Sequence, residues 1–419
     1  MEAFSIRGGT PLAGQCQIQG AKNAVLPLLA AGLLCDGGIR LDNCPRLKDI
    51  DNMLLILQAL GCKARWDNSA IELDAGGASS YRMPRELSKQ MRSSIFMLGP
   101  VLARFGQAEF TYPGGCEIGL RPIDLHLSSL RAMGAEIRED HGLIHCKGRL
   151  HGAQIHLDYP SVGATENILM AAVTAQGDTV VHNAAREPEV RDLARFLNAC
   201  GARVRGAGGG TIHIGGGAQL HGCAYTPLND RIVAGTILLA APMTGGDIFA
   251  KGARAEDMQA VLSKLRQMGC LVSQEKGGVR VRAVGRPRAV RRVETNPHPS
   301  FPTDMQAQMM ALLAKANGTS VVVENVFENR FAHAGELNRM GADIEISGRT
   351  AIVRGVETLF GQRVASRDLR GGAALVLAGL GAQGETIVDH IAYIDRGYER
   401  LEAMFAGLGA DMQRVETEV

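Results

Sequence analysis

The sequence lacks the features of several common classes of protein. Its formal net charge is only +2, so it has no basic field of the kind that binds nucleic acid by neutralising phosphates. Its longest apolar runs, 24–35 and 232–243, are shorter than the ~18–20 residues of a membrane span. No charged and then apolar segment opens the chain, so we expect no signal peptide. These absences predict a cytoplasmic protein that binds neither nucleic acid nor membrane.

Disulfide, metal and nucleotide-loop motifs are also missing. The nine cysteines show no CxxC spacing, and 419 residues can bury a core without disulfide support. Neither HExxH nor HxxH occurs, and no histidine is spaced to pair with a cysteine. The sequence therefore disfavours a metalloenzyme and a protease. The glycine-rich stretch 206–217 has neither G-K-[ST] nor GxGxxG, and we interpret it as hairpin turns around a short strand at 211–214.

The sequence does contain a unit that is repeated six times. A phrase such as LQALGC (57–62) recurs with its glycine 67 to 73 residues further along each time. These glycines are Gly61, Gly134, Gly201, Gly269, Gly341 and Gly409. Each phrase predicts an amphipathic helix that ends at a left-handed glycine and leads into a strand.

A second sequence pattern repeats with the same period as the first. It predicts a helix of small and aliphatic residues that ends at a glycine. The six copies are 24–32, 93–106, 167–177, 233–245, 306–318 and 373–384. A helix that is apolar all round must be buried. Three units form a domain of ~200 residues, so we expect two α/β domains with strands outside, apolar helices inside and a boundary near Asp230.

Cations mark the starts of four of the six apolar helices. They are Lys22, Arg92, Arg231 and Arg370. A helix start already carries partial positive charge and unpaired N–H groups, which favour anions. Each cation on its own is interpreted as a solvated cap or an ion pair, as with Asp230 beside Arg231 and Asp368 beside Arg370. If the helix starts face one cleft, the four together predict a site for phosphate and carboxylate groups.

Cys116 differs from the other eight cysteines, which occupy apolar or repeat positions. Its loop, 112–122, contains three glycines and two prolines and is typical of an exposed connection. A thiol that is accessible and close to cations becomes a nucleophile or a proton donor, and Arg121 follows five residues later. An incidental loop cysteine is the alternative interpretation.

Eight motifs, taken in order along the chain, resemble those of a known family. They are GAKN (20–23), MRSS (91–94), PGGC (113–116), GLRPIDLH (119–126), SVGAT (161–165), FPTDMQAQ (301–308), FENRF (327–331) and DRGYER (395–400). On these motifs the chain resembles the UDP-N-acetylglucosamine 1-carboxyvinyltransferase family, a group of enolpyruvyl transferases, over essentially its whole length. The resemblance implies an inside-out α/β barrel fold with two domains of three βαβαββ units. The domains would be 21–229, which carries the Cys116 loop as a lid, and 230–419 completed by 1–20.

The resemblance also implies an activity. The enolpyruvyl group of phosphoenolpyruvate would pass to the 3-hydroxyl of UDP-N-acetylglucosamine with release of phosphate, the first committed step of peptidoglycan precursor synthesis. No metal or organic cofactor would be required. By resemblance, Lys22, Arg121 and Arg396 hold the phosphate, and Arg92 and Arg370 lie near the anionic groups. Asp304 would take the proton of the sugar hydroxyl, and Cys116 would protonate the vinyl carbon or add to phosphoenolpyruvate.

The resemblance further implies a set of contacts to the nucleotide sugar. The set is Asn23, Arg92, Arg121, Pro122, Ile123, Asp124, Leu125, Ser161, Val162, Gly163, Thr303, Asp304, Val326 and Phe327. Asp230, Arg231 and Asp368 would support the cationic side chains. The chain departs from many relatives at Pro160, where they carry a lysine, and this puts a charged contact to the diphosphate in doubt. Gly371-Gly372 is another departure, since alanine often occurs there.

Two rival functions stay open from the sequence. The sister enzyme of aromatic amino-acid synthesis moves the same group onto shikimate 3-phosphate, but the PGGC loop and the Asp304 motif argue against it. A catalytically silent paralogue with a binding role is the second rival. The joint presence of Lys22, Cys116, Arg121, Asp304 and Arg396 argues against it. For the assembly, we expect a monomer or a weak homo-oligomer.

Overall fold

The computed structural model describes residues 2–114 and 122–417. These residues form two compact units. The first unit spans 20–228 without the undescribed segment, and the second combines 2–19 with 229–417. The chain begins with strands β1 (Glu2–Arg7) and β2 (Ala13–Gln17), both of which belong to the second unit.

The first unit alternates short strands with helices. In chain order its elements are α1 (Lys22–Gly32), β3 (Ile39–Leu41), α2 (Lys48–Ala59), β4 (Lys63–Asp67), β5 (Ala70–Asp74), α3 (Arg85–Gln90), a 3-10 helix (Arg92–Met97), α4 (Leu98–Phe105), β6 (Gln107–Thr111), α5 (Asp124–Ala132), β7 (Glu136–Asp140), β8 (Leu143–Lys147), β9 (Gln154–His156), α6 (Val162–Ala172), β10 (Thr179–His182), α7 (Pro188–Ala199), β11 (Arg203–Arg205), β12 (Thr211–Gly215) and β13 (Ala224–Tyr225). The strands form three sheets, ordered β13-β3-β5-β4, β6-β8-β7 and β11-β12-β10-β9.

The second unit repeats this plan. In chain order its elements after β2 are α8 (Arg231–Thr244), β14 (Asp247–Lys251), a 3-10 helix (Ala255–Asp257), α9 (Gln259–Gln267), β15 (Leu271–Glu275), β16 (Gly278–Arg282), β17 (Arg292–Thr295), a 3-10 helix (Thr303–Met305), α10 (Gln306–Ala314), β18 (Thr319–Glu324), α11 (His333–Arg339), β19 (Asp343–Ser347), β20 (Thr350–Arg354), β21 (Arg363–Ala365), α12 (Leu369–Gly381), β22 (Glu385–Asp389), a 3-10 helix (Ile391–Arg396), α13 (Leu401–Ala406) and β23 (Asp411–Glu416). Its sheets are ordered β15-β16-β14-β2, β17-β18-β20-β19 and β21-β22-β1-β23. The N-terminal strands thus complete two of the three sheets.

The sixfold glycine phrase has the predicted conformation. All six glycines have φ between 92° and 101°, a region that only glycine enters without strain. They follow helices α2, α5, α7, α9, α11 and α13, and each leads within two residues into a strand. The period in the sequence is therefore a period in the structure, and the predicted repeat fold is confirmed.

The apolar helices form the cores of the two units. Every residue of α10 is buried, and so are residues 370–381 of α12 and 232–243 of α8. Each large side chain placed there stabilises the fold by roughly 1.5–3 kcal/mol through its removal from water. In the part of the chain that the structure describes, no helix is long and apolar enough to cross a membrane.

The predicted ends of these helices need correction. The predicted helix at 93–106 is a 3-10 helix followed by α4, which closes at the left-handed Gly106. Gly177, Gly318 and Gly384 also have positive φ, but they lie beyond the ends of α6, α10 and α12. These glycines shape the turn into the next strand instead of capping the helix. The glycine-rich stretch 206–210 joins the antiparallel strands β11 and β12, as predicted for a hairpin turn.

Candidate functional site

The site residues predicted from the sequence fall in both units, and two of them cannot be described. Cys116 and Arg121 lie outside the described residues. In the first unit, Pro122 and Asp124 are exposed, Leu125 is half-buried and Ile123 is buried. Asp124 begins α5, where its negative charge favours the helix start.

Lys22 is the first residue of α1 and is almost entirely buried. Its side chain is 11% exposed, and Nζ lies 3.2 Å from Oδ2 of Asp49 on α2, whose side chain is 4% exposed. A cation at a helix start is opposed by the helix dipole, and the Asp49 carboxylate offsets this opposition. The adjacent Asn23 is exposed. The burial of Lys22 therefore depends on an acid 27 residues away, which sequence reasoning did not identify.

Arg92 opens the 3-10 helix before α4 and is half-buried. Its Nη1 lies 3.5 Å from the carbonyl oxygen of Pro113, just before the undescribed segment. The charge of Arg92 also acts on His126 of α5. Burial and this charge together lower the pKa of His126 to about 4, so its imidazole is neutral at pH 7.

The start of α6 contains three predicted nucleotide-sugar contacts, Ser161, Val162 and Gly163, all half-buried. Ser161 is the N-cap, and its hydroxyl accepts a hydrogen bond from the backbone N–H of Ala164 at 3.3 Å. The ring of His126 packs against Gly163, where an added Cβ would lie 3.0 Å from Cε1 and 3.2 Å from Nε2. The structure thus brings the Arg92 helix, His126 and the start of α6 together.

Asp304 lies in the second unit, immediately before α10, between two arginines. Arg330 Nη2 donates to Oδ1 at 2.7 Å, and Arg370 Nη2 donates to Oδ2 at 2.9 Å. The arginine side chains are 4% and 6% exposed, and that of Asp304 is 25% exposed. Burial by itself raises the pKa of Asp304, but the charges and hydrogen bonds of Arg370 and Arg330 outweigh it and hold this pKa well below its usual range.

A second layer of contacts fixes Arg330 in place. Its Nη1 donates to the Thr303 hydroxyl at 2.9 Å, and that hydroxyl donates to the buried carboxylate of Glu324. Glu324 also accepts hydrogen bonds from the backbone N–H groups of Val326 and Phe327. The guanidinium of Arg330 stacks 5.0 Å from the centre of the Phe327 ring. Thr303, Val326 and Phe327, all predicted from the resemblance, therefore belong to one connected group.

Arg370 is fixed from other directions. Its guanidinium lies 5.5 Å from the ring centre of Tyr398, whose hydroxyl is hydrogen-bonded to Thr236 and Gln308. Burial lowers the pKa of Arg370, but Asp304, Tyr398 and Asp230 together raise it above the ordinary value. Nη1 of Arg370 and Nε of Arg330 are buried and have no hydrogen-bond partner among the residues that the structure describes. Unpaired buried donors beside one carboxylate make this a place where a further anionic oxygen can bind.

The remaining predicted residues of the second unit occupy helix starts. Asp230 caps α8 by accepting from the N–H groups of residues 232 and 233, and Asp368 caps α12 in the same way from residues 370 and 371. A side-chain pair of Asp368 with Arg370 was one interpretation of the sequence, but the ion-pair partner of Arg370 is Asp304. Arg231 and Arg396 are half-buried, at the start of α8 and at the end of the 3-10 helix 391–396.

Four side chains that were assigned no role from the sequence take part in the contacts described above. They are Asp49, His126, Asn167 and Arg330. His126 and Arg330 stand inside the GLRPIDLH and FENRF motifs, so the signal was present but was not resolved to a residue. Nothing in the local sequence distinguishes Asp49 or Asn167.

Cavities and metal sites outside these groups do not suggest another centre. A cavity of about 880 Å³ is lined by Arg40, Cys62, Lys63 and Cys223 among others, and by none of the predicted site residues. A smaller one of about 110 Å³ is lined by Arg231, Met305 and the loop at 298–302. Across 2–114 and 122–417, no group of three or more His, Cys, Asp or Glu side chains is arranged to hold a metal ion.

Comparison with known proteins identifies the class. The sequence profile of the EPSP synthase (3-phosphoshikimate 1-carboxyvinyltransferase) family matches residues 6–405. The enolpyruvyl transferase NikO from Streptomyces tendae has a TM-score of 0.89 at 24% identity, covering 100% of this chain and 99% of that one. EPSP synthase from Acinetobacter baumannii has a TM-score of 0.77 at 19% identity, covering 99% and 100%. The chain belongs to the EPSP synthase family of enolpyruvyl transferases, and the structures confirm the predicted fold.

Two curated relatives are similar to this chain over nearly its whole length. UDP-N-acetylglucosamine 1-carboxyvinyltransferase 2 from Caldanaerobacter subterraneus subsp. tengcongensis is 49% identical over 416 residues, which are 99% of this chain and 100% of the relative. UDP-N-acetylglucosamine 1-carboxyvinyltransferase from Idiomarina loihiensis is 50% identical over 418 residues, again 99% and 100%. The resemblance drawn from the eight motifs is therefore confirmed.

Proposed function

We propose that this chain transfers the enolpyruvyl group of phosphoenolpyruvate to the 3-hydroxyl of UDP-N-acetylglucosamine and releases phosphate. The observation that carries the proposal is the identity of about half of all residues, over the full length, with two proteins named for this activity. The reaction supplies a peptidoglycan precursor and therefore serves cell-wall synthesis. Both substrates are anionic, in keeping with the buried cations Lys22, Arg330 and Arg370.

The chemistry assigns a role to each predicted residue. Cys116 gives a proton to the methylene carbon of phosphoenolpyruvate, which makes the neighbouring carbon an electrophile. Asp304 accepts the proton of the sugar hydroxyl as its oxygen attacks that carbon. The Cys116 thiolate then takes back a proton from the new methyl group as phosphate departs, which restores both the double bond and the thiol. Lys22, Arg121 and Arg396 hold the phosphate and stabilise its growing charge, and Arg92 and Arg370 face the other anionic groups.

The two arginines that bind Asp304 weaken it as a base. A carboxylate whose pKa is far below its usual range is a weak base, so Asp304 between Arg330 and Arg370 is poorly suited to take a proton. Anionic oxygens of the substrates compete with Asp304 for the same guanidinium groups, and Arg370 Nη1 and Arg330 Nε are unpaired donors for them. When substrate draws these cations away, the pKa of Asp304 rises and the base becomes stronger. In this proposal, substrate binding activates the base.

The nucleotide sugar is held by the residues that the resemblance assigns to it. In the first unit they include Ser161, Val162 and Gly163, and in the second unit they are Thr303, Asp304, Val326 and Phe327. The two functional domains are proposed to be 21–229 and 1–20 with 230–419, with the Cys116 loop as a lid. We also propose a cytoplasmic location, where both substrates occur, no metal or organic cofactor, and a monomer or weak homo-oligomer.

Phosphate release from phosphoenolpyruvate tests the proposal directly. The full chain should release phosphate when UDP-N-acetylglucosamine is added and not when shikimate 3-phosphate is added. Release with shikimate 3-phosphate alone would overturn the acceptor assignment. If the protein is folded by circular dichroism but releases no phosphate with either acceptor, the result would instead favour the silent paralogue.

A further inference from the structure

One segment of the second unit is strongly basic, although the whole chain is almost neutral. Between residues 259 and 293 there are nine lysines and arginines and one glutamate. Because the formal net charge of the full chain is only +2, the remaining residues are net acidic. The segment contains α9, β15, β16 and the start of β17. The near-zero total therefore conceals a local positive field.

Three arginines of this segment surround the turn between α9 and β15. Arg266 lies in the last turn of α9. Arg282 is the Cα partner of Leu271 across the β15 and β16 hairpin. The backbone N–H of Arg288 donates to the carbonyl oxygen of Met268 at 2.9 Å. These backbone contacts bring the three arginines to one end of the hairpin.

Two exposed aliphatic side chains lie among these arginines. Leu271 is 51% exposed, and Val284, between Arg282 and Arg288 in the chain, is 61% exposed. The three arginines are exposed as well. We call Arg266, Leu271, Arg282, Val284 and Arg288 the arginine patch. It combines positive charge with apolar surface that water covers.

The charges of the arginine patch are not neutralised inside the protein. Within 2–114 and 122–417, the guanidinium groups of Arg266, Arg282 and Arg288 have neither an ion pair nor a side-chain hydrogen bond. The neighbouring Arg280, in contrast, binds Asp247 at 2.7 Å. The patch thus presents three unpaired cations to the solvent.

The internal repeat shows which residues are common at this position. Leu271 is the second residue after a repeat glycine, and in four other repeats the residue at that position is charged and has an oppositely charged Cα partner. These pairs are Lys63 with Asp74, Glu136 with Lys147, Asp343 with Arg354, and Asp411 with Arg7. Asp343 Oδ1 and Arg354 Nη1 form an ion pair at 3.1 Å. The fourth repeat has an exposed leucine where an acid would neutralise Arg282.

The composition of the arginine patch favours a protein partner that carries carboxylates. Arginine binds a carboxylate through two parallel hydrogen bonds and is enriched in protein interfaces, where lysine is depleted. Seven of the nine cations in 259–293 are arginines, and the segment has no aromatic side chain on which single-stranded bases could stack. A membrane-surface helix exposes Trp, Phe or Leu, whereas the exposed residues of α9 are all polar.

We propose that the arginine patch is a docking surface for an acidic segment of a partner protein. Carboxylates of that segment bind the three arginines, and its apolar side chains cover Leu271 and Val284. None of the five residues belongs to the proposed substrate site. The inference is therefore additional to the proposed function and does not depend on it.

A short fluorescent peptide of glutamate and leucine is the probe for this surface. Fluorescence anisotropy with the full chain should show binding at low salt. The same peptide with glutamine in place of glutamate should bind at least about 10-fold more weakly, because its charge-assisted hydrogen bonds are lost. Binding should also weaken at 1 M salt, where the screening length is only ~3 Å. No binding of the acidic peptide at low salt would overturn the proposal.

Leu271→Asp tests the patch most directly, because it restores the charge pair of the other repeats. The new carboxylate should neutralise Arg282 and repel the peptide, so the peptide should bind about 10-fold more weakly. Arg282→Gln combined with Arg288→Gln should have a similar effect, since two charge pairs are lost. Arg354→Gln is the matched control, because the repeat counterpart of Arg282 is already paired within the protein.

Phosphate release should be unchanged in all of these variants, which shows that they are folded. A folded Leu271→Asp variant that binds the acidic peptide as tightly as the wild type would contradict the proposal.

Other occupants of the arginine patch would give different results. Vesicles of equal parts phosphatidylglycerol and phosphatidylcholine, and a single-stranded oligonucleotide, serve as alternative anions. If Leu271→Asp weakens the binding of either one while the acidic peptide does not bind, the partner is not an acidic protein. A wild-type dimer in analytical ultracentrifugation that Leu271→Asp converts to a monomer would assign the surface to a second copy of the chain. Either outcome would overturn the proposal.

Discussion

Arg330 Nη2 donates a 2.7 Å hydrogen bond to Asp304 Oδ1, although 26 residues separate them in the sequence. Arg370 binds the other carboxylate oxygen, so the proposed base is held by two cations. The same geometry lowers the pKa of Asp304 and places two arginines where they can bind an anion. The predictions that concern Asp304 follow from this arrangement.

Replacing Asp304 by Asn should lower kcat by ~100-fold or more, because the amide cannot accept the hydroxyl proton. Steady-state phosphate release with UDP-N-acetylglucosamine measures the change. Asp343→Asn is the matched control, since that aspartate lies on an exposed strand and pairs with Arg354. An Asp304→Asn variant with normal kcat would exclude Asp304 as the base.

Replacing Arg330 by Gln should change the pH dependence of kcat/KM, which reports the pKa values of the free enzyme, as well as its size. In the wild type the pKa of Asp304 lies well below its usual range, so the carboxylate stays ionised through mildly acid pH. Without Arg330 one of the two lowering charges is lost and the pKa rises, so the acid limb of the profile should move to higher pH. Arg349→Gln, at an exposed pair with Glu328, serves as the control. A lower kcat/KM with an unmoved acid limb would mean that Arg330 does not tune Asp304.

Fosfomycin, a small phosphonate epoxide, should alkylate Cys116, because the proposed function requires this thiol to be accessible and activated. Intact mass spectrometry should find one adduct on the wild type and none on Cys116→Ser. Cys223→Ser is a suitable control, since Cys223 is half-buried and burial raises the pKa of its thiol to about 12. An active wild-type enzyme that forms no adduct would show that the Cys116 thiol is poorly activated.

Glu166 should make the stability of the protein fall as pH rises. The side chain is fully buried, and neither carboxylate oxygen has a hydrogen-bond partner within 2–114 and 122–417. Burial, together with nearby Glu189 and Glu187, raises its pKa well above the usual value. The folded chain therefore keeps a proton that the unfolded chain releases above its ordinary pKa, so folding loses stability between that value and the raised one.

The Glu166→Gln variant should remove most of this pH dependence. From pH 5 to pH 8 the free energy of unfolding should fall less for Glu166→Gln than for the wild type, by on the order of 1 kcal/mol. Thermal unfolding at the two pH values measures this difference. Glu345→Gln, on an exposed strand, is the control. Equal decreases in wild type and Glu166→Gln would mean that Glu166 is ionised in the fold.

Much of the architecture could be predicted because it depends on local sequence. The glycines at 61 and 409 need a left-handed backbone whatever surrounds them, and α12 is apolar on every side and has to be buried. The exact helix ends were harder to predict. Gly177 and Gly384 look like helix caps in the sequence, but the left-handed residue is needed a few positions later, in the turn to the strand.

By itself, the sequence determined the sixfold repeat, the apolar helices and the motifs that carry the family resemblance, because backbone conformation and hydropathy are properties of neighbouring residues. Only the tertiary structure decided that Arg330 and Arg370 both bind Asp304, that Asp49 pairs with Lys22, and that Asn167 contacts the ring of His126. These pairs lie 26 to 66 residues apart in the sequence. Side chains so far apart meet only when separate helices of the fold pack together, and their charges and hydrogen bonds act over a few ångströms of space, whatever their separation along the chain.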